Sequence, residues 1–219
     1  MLRKDYLTRM IEEMTEAVGA MLGMRKAQKN EQAIEKLDGL LKRNFRMSEQ
    51  MLRSLPPGEL IGLFRQRGGV DAESLQLVAR MLQESGEIRA NMGQEREAAA
   101  DRIKALHLYL HAALNGGSRE LVDYPDRIAE LSAQLERYKL PADEEKLTML
   151  YEEREGRHVR AEDAMYRMLG ASPENDKDAL EEGRMFYARL SALSDEALQS
   201  GGLTREELQE GIEALEDEE

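Results

Sequence analysis

A chain of 219 residues with 31 Lys/Arg against 44 Asp/Glu carries a formal charge of −13, which disfavours wrapping nucleic acid by phosphate neutralisation. The absence of Cys excludes disulfide scaffolds, thiolate zinc sites and cysteine nucleophiles. With no Trp, three Phe and 13 Met, the core must be filled by Leu, Met and Ala, in a chain long enough to need no metal or disulfide to hold it together.

The charge is uneven. Residues 1–47 hold 10 Lys/Arg against 7 Asp/Glu, whereas residues 194–219 hold one Arg against ten acids, so the two ends differ in sign. The opening MLRKDYLTRMIEEM puts glutamates where a leader needs an apolar run, and no stretch approaches the ~18 apolar residues of a membrane span. The expected location is cytoplasmic.

Apolar residues recur at helical spacing from the start. Leu7, Met10, Ile11, Met14, Val18, Met21 and Leu22 form one stripe. After Gln28-Lys29-Asn30, with Asn30 as the expected N-cap, a second stripe runs through Ala33, Ile34, Leu37, Leu40, Leu41 and Phe45. The short turn predicts an antiparallel pair over about 3–45. Pro56-Pro57 opens a short helix at about 57–66, ended by Gly68-Gly69. A second pair at about 71–115 follows Asp71, with Leu75, Val78 and Leu82 inward and a turn at Gly93. A helix at about 125–138 begins at Pro125. The third pair, at about 143–170, turns at Gly156, with Leu147, Leu150 and Tyr151 before the turn and Ala161, Ala164, Met165, Met168 and Leu169 after it. Helices at about 176–193, on Leu180, Gly183, Tyr187 and Leu190, and about 204–216, with capping-box spacing at Thr204-x-x-Glu207, complete the chain. No period-two run occurs, so the expected fold is all-α, a single 1–219 domain of stacked antiparallel helix pairs.

Leu82, Gly86, Gly93, Ala98 and Ala105 stand in tetratricopeptide-like order: an apolar residue, a small one where helices touch, a turn glycine, then two alanines. Gly156, Ala161 and Pro173 repeat part of it, without the repeat's large aromatics. The segments DYLTRMIEEM (Asp5–Met14), IKALHLYLHAAL (Ile103–Leu114), RHVRAEDAMYRML (Arg157–Leu169) and Glu181–Leu215 resemble a bacterial family of uncharacterised helical proteins, a domain of unknown function, over nearly the whole length. The resemblance implies a tetratricopeptide-like α-solenoid fold and supplies no activity.

Candidate chemistry is sparse. His107 and His111 have the spacing of a paired metal ligand, but the apolar arc on Leu106 and Leu110 turns them to the polar face, and no second pair accompanies them. Glu155-Gly156-Arg157-His158 has the Glu-x-x-His spacing of di-iron bundles in a single copy that straddles a turn. Met10, Met14, Met21 and Met24 suit a packed face better than a soft binding groove. Arg25, Lys26, Lys29, Lys36, Lys42, Arg43 and Arg46 read as a solvated face, and Glu216–Glu219 as a solvated tail. No catalytic, cofactor-binding or metal residue is assigned, and binding residues stay unknown.

Three functions compete. The first is a protein or peptide interaction scaffold, not a nucleic-acid or membrane binder. Its expected surface is the first helices of the pairs, Asp71–Met92 and Asp143–Glu155, offering Arg80 and Arg89 among glutamates. The second is an enzyme or ligand sensor whose interhelical pocket uses His158 and Tyr151. The third is a homo-oligomer joined through its oppositely charged ends.

Overall fold

Strong helix formers at helical spacing become helices throughout a computed structural model that describes residues 2–173 and 176–216, with side chains from Thr8 to Leu215. The described residues form twelve helices and one minimal hairpin. In order these are α1 (Leu2–Lys26), α2 (Asn30–Phe45), α3 (Glu49–Ser54), α4 (Pro57–Leu63), β1 (Arg65–Gln66), β2 (Gly69–Val70), α5 (Ala72–Asn91), α6 (Glu95–Leu114), α7 (Tyr124–Leu135), α8 (Ala142–Arg154), α9 (His158–Ala171), α10 (Lys177–Ser191), α11 (Asp195–Ser200) and α12 (Arg205–Glu216). The fold is all-α. Two compact units divide it, Met1–Arg137 and Tyr138–Glu219. The first carries 21 Lys/Arg against 21 Asp/Glu and the second 10 against 23, so the whole net charge belongs to the second.

In the first unit the dominant element is the α5–α6 pair. Asp71 caps α5 by accepting from the Ser74 amide at 3.3 Å, and Gly93, in the left-handed conformation with φ of 74°, reverses the chain. The helices run antiparallel: Gln83 meets Tyr109, Ser85 meets Asp101, and Arg89 meets Gln94. A Cβ at Gly86 would lie 3.1 Å from the Ala98 carbonyl, so glycine permits this close approach, and Ala98 and Ala105 are fully buried. α1 pairs with α2 and packs on α5 through buried Met10, Met14, Ala17 and Met21.

Several local expectations are corrected. Leu22 is 42% exposed, because it lies one helical step from Met21 and so turns off the buried stripe. Asn30 does not cap α2. Lys29 occupies that position without a side-chain bond, and Asn30 Oδ1 instead accepts from Asn91 Nδ2 at 3.1 Å, a tertiary partner displacing a local one. The helix expected over 57–66 ends at Leu63. Gly69, with φ of 124°, lets Arg65–Gln66 pair back on Gly69–Val70, the one departure from a strand-free chain among the described residues. The short helices α3 and α11, each opened by a serine cap, were not expected. The Leu7 and Glu216 side chains and the rest of the acidic tail, residues 217–219, lie outside the described residues.

In the second unit α8 and α9 pair across Gly156, whose φ is 72°. Their antiparallel sense shows in Arg167 on Glu145 at 3.0 Å, and in Arg157 on Glu152. Met149, Ala161, Met165, Phe186, Leu198 and Leu208 build the core where α8 to α12 meet. The capping box forms as expected: the Thr204 amide donates to Glu207 Oε2 at 2.8 Å and the Glu207 amide to Thr204 Oγ1 at 3.2 Å. The Thr204 amide, and the Thr204 hydroxyl that donates to the same Oε2 at 2.8 Å, hold the Glu207 carboxyl below the usual carboxylate range.

Gln76 on α5 is fully buried, and neither of its amide atoms finds a partner within the chain. An unmet buried polar group costs about 1–3 kcal/mol. Replacing it with the similarly shaped apolar residue, Gln76→Met, is therefore expected to stabilise the first unit by on the order of 1 kcal/mol. An unchanged or lowered denaturant midpoint would show that the amide is satisfied after all.

Candidate functional site

Two faces of α1 have different fates. Met10, Met14, Ala17 and Met21 are buried, whereas Ile11, Thr15 and Val18, together with the edge of Met14, line an open groove. Spacings of three and four place these residues in one row along the helix. Leu77 and Arg80 of α5 close one side, and Leu121, Val122, Asp123 and Arg127, from the segment entering α7 and its first turns, close the other. The space is about 210 Å³, all of it within the first unit. Its floor is apolar. Its rim carries two guanidinium groups and one carboxylate.

The rim is held by an ion-pair network. Arg80 contacts Glu84 at 2.5 Å, and Arg25 reaches the other oxygen of the same carboxylate at 3.5 Å. The Glu84 side chain is only 3% exposed. Burial lifts its proton affinity, and the two arginines oppose that shift. Arg127 pairs with Glu130 at 2.8 Å, and Glu130 also accepts from Gln83, whose carbonyl takes the buried Tyr109 hydroxyl at 3.4 Å. Burial raises the Tyr109 phenol far above its ordinary value, so it stays a neutral donor.

Other sequence candidates fall elsewhere. His107 and His111 are both half-buried, not fully solvated. His111 contacts Asn115 at 3.2 Å, and burial, then the nearby His107, lower its basicity. Among the described residues no group of three or more His, Asp or Glu is placed to hold a metal ion. Glu155 and His158 stand on opposite sides of the Gly156 turn, and Glu155 pairs with Arg157 at 3.6 Å. His158 is buried against the Gly201 backbone with Nδ1 unpartnered in the chain, and Tyr151 is buried beneath the Arg157 guanidinium, 5.4 Å from its ring. Neither lines the groove. Within the basic cluster, Arg25 bonds Glu84 and Glu87, Lys42 bonds Asp38 and Arg43 bonds Glu13, so these charges are met locally.

The expected α5 surface is also corrected. Thirteen of its twenty residues are buried, because α1, α2, α6 and α7 cover it. Arg89 is spent on Glu49 at 2.5 Å and Asp101 at 3.3 Å. Arg80, with Leu77, lines the groove. Of the groove residues, Ile11, Met14 and Val18 were flagged from sequence as one packed stripe and Arg80 as surface. Leu121, Val122, Asp123 and Arg127 were not, since only folding brings that segment to α1.

The model of a family described as "Family of unknown function (DUF6483)" matches residues 1–219. The chain belongs to that family. No curated protein and no solved structure matches the chain. The family covers both units in full, so the groove and its rim lie within the family's own span and not in an appended segment. No helix of the described residues is long and apolar enough to cross a membrane.

Proposed function

We propose that this member of the family is a protein-interaction module, a helix-pair scaffold of the tetratricopeptide kind that receives a partner segment in the α1 groove. The observation that carries the reading is the open row Ile11–Thr15–Val18 on a helix whose other face is already packed. Ligand and cofactor sites usually enclose about 300–1,000 Å³. A groove of about 210 Å³ suits one or two side chains of a protein partner better. The tetratricopeptide comparison draws support from the α5–α6 and α8–α9 pairs, with turn glycines at Gly93 and Gly156 and buried alanines at Ala98 and Ala161. A bacterial setting is kept on the resemblance of its motifs, and a cytoplasmic one remains part of the proposal.

The test is site-selective photocrosslinking. Benzoylphenylalanine in place of exposed Thr15 is expected to trap one discrete protein, identified by mass spectrometry and then rebound in purified form, while the same probe in place of exposed Glu97 traps none. Equal trapping at both positions, or none at Thr15 alongside a small molecule that raises Tm in proportion to its concentration, overturns the proposal.

A further inference from the structure

In the second unit α9 keeps a face that its own packing does not use. Helical spacing sets Val159, Glu162, Asp163 and Tyr166 in one row. Val159 is 40% and Tyr166 41% exposed, while the helix packs through Ala161, Ala164, Met165 and Met168. α12 borders the row. Gly211, having no side chain, admits the Tyr187 hydroxyl, which donates to Glu162 Oε1 at 2.7 Å and lies 3.2 Å from the Tyr166 hydroxyl. Gly202, just ahead of α12, lies against Val159.

No cation answers the acids of this face. Glu162 accepts from a neutral hydroxyl, Glu207 of α12 is bonded to Thr204, and Asp163 is exposed; none of the three makes an ion pair among the described residues. Arg167, at the edge of the row, is engaged by Glu145 at 3.0 Å, and exposed Arg160 reaches none of the three. Burial lifts the Glu162 carboxyl above its ordinary range, the Tyr187 hydroxyl opposes that shift, and the negative charges of Asp163 and Glu207 add to it. These carboxylates therefore feel one another, yet among the described residues no three acids are placed to hold a metal ion. The unit as a whole, with 10 Lys/Arg against 23 Asp/Glu, extends the same sign to longer range.

We infer that this face of α9 is a second docking surface, independent of the α1 groove, and that it takes a basic segment of a partner protein through an arginine flanked by aliphatic residues. The guanidinium lies over the exposed Tyr166 ring and turns its fork to Glu162 and Asp163, a planar cation suiting carboxylates that are spread along a helix. An aliphatic neighbour covers Val159, one to two turns away, and adds burial of apolar surface. Lysine supplies the charge without the fork, and a polyanion is repelled.

The probes are three capped tripeptides, acetyl-Leu-Arg-Leu-amide and its counterparts with lysine or with citrulline, the uncharged isostere of arginine. They are titrated into the full chain labelled with carbon-13 at the valine methyls. Val159 reports on the face, and fully buried Val78 of the first unit is the control. The Val159 signal is expected to move saturably with the arginine peptide and about tenfold more weakly with the citrulline peptide, with lysine between them. Val78 should stay still. Asp163→Asn should weaken arginine binding about threefold, the scale of one exposed ion pair. Asp178→Asn, which removes the same charge from an exposed position of α10, should leave it unchanged. Tyr166→Leu should erase the preference for arginine over lysine. Equal responses to arginine and citrulline, equal losses in the two aspartate variants, or a still Val159 would each overturn the inference. So would a Val159 shift of the same size with calcium chloride, which would mark a site for any cation.

Discussion

Asp101→Ala is expected to destabilise the first unit by about 3–5 kcal/mol, the cost of removing one partner from a buried ion pair. The Asp101 side chain is 4% exposed, accepts from Ser85 Oγ at 2.7 Å and Arg53 Nε at 2.9 Å, and lies 3.3 Å from Arg89 Nε. Its loss leaves Arg89, only 12% exposed, with Glu49 as its one remaining carboxylate beside the neutral Gln94, and takes from the buried Ser85 hydroxyl its shorter acceptor contact. Two guanidinium groups and one hydroxyl then lack the acceptor that drew α3 onto α5 and α6. Asp101→Asn, which keeps an acceptor and loses the charge, should fall between alanine and wild type. Exposed Glu97→Ala should stay within about 0.5 kcal/mol. The check is hydrogen exchange on α5 and α6 with denaturant titration. An Asp101→Ala midpoint equal to wild type would show that desolvation cancels everything the network contributes.

In the second unit Ala161→Glu is expected to cost about 3–5 kcal/mol, at the severe end of single substitutions, by burying an unpaired carboxylate. Ala161 is fully buried among Met149, Met165 and Met168, where α9 lies against α8. No base is available among those neighbours, and the added atoms would also push the two helices apart. Asp163→Ala, two positions along α9 and exposed, is the control and should be nearly neutral. Thermal melts followed by circular dichroism read the difference. An Ala161→Glu Tm equal to that of the control would place residue 161 on the surface and dismantle the α8–α9 pairing.

Both expectations expose what each level of description supplies. Ala161 was legible from sequence, because a small residue five positions beyond a turn glycine, ahead of an apolar row, is what two close helices require. The same holds for α5 and α6: the Leu75–Val78–Leu82 row, the Gly93 turn and the small residues Gly86 and Ala98 are local signals, and each appears where it was expected. Asp101 was not legible. On its helix it looks like any solvated acid, and its partner Arg53 lies 48 positions away in sequence. Gln76, Gln83, Glu84 and Ser85 are hidden for the same reason, since one apolar stripe declares one packed face and α5 has more than one.

The sequence by itself determined that the chain is helical, where most helices begin and end, and which helices pair through short turns, because cap, period and turn act within a few residues. Only the tertiary structure decided which polar groups are buried together and where α1 leaves a row of apolar side chains uncovered. Those outcomes depend on covering elements that meet across the chain. Arg80, Arg127 and Glu84 acquire their joint meaning from partners on other helices, a relation that no helical period records.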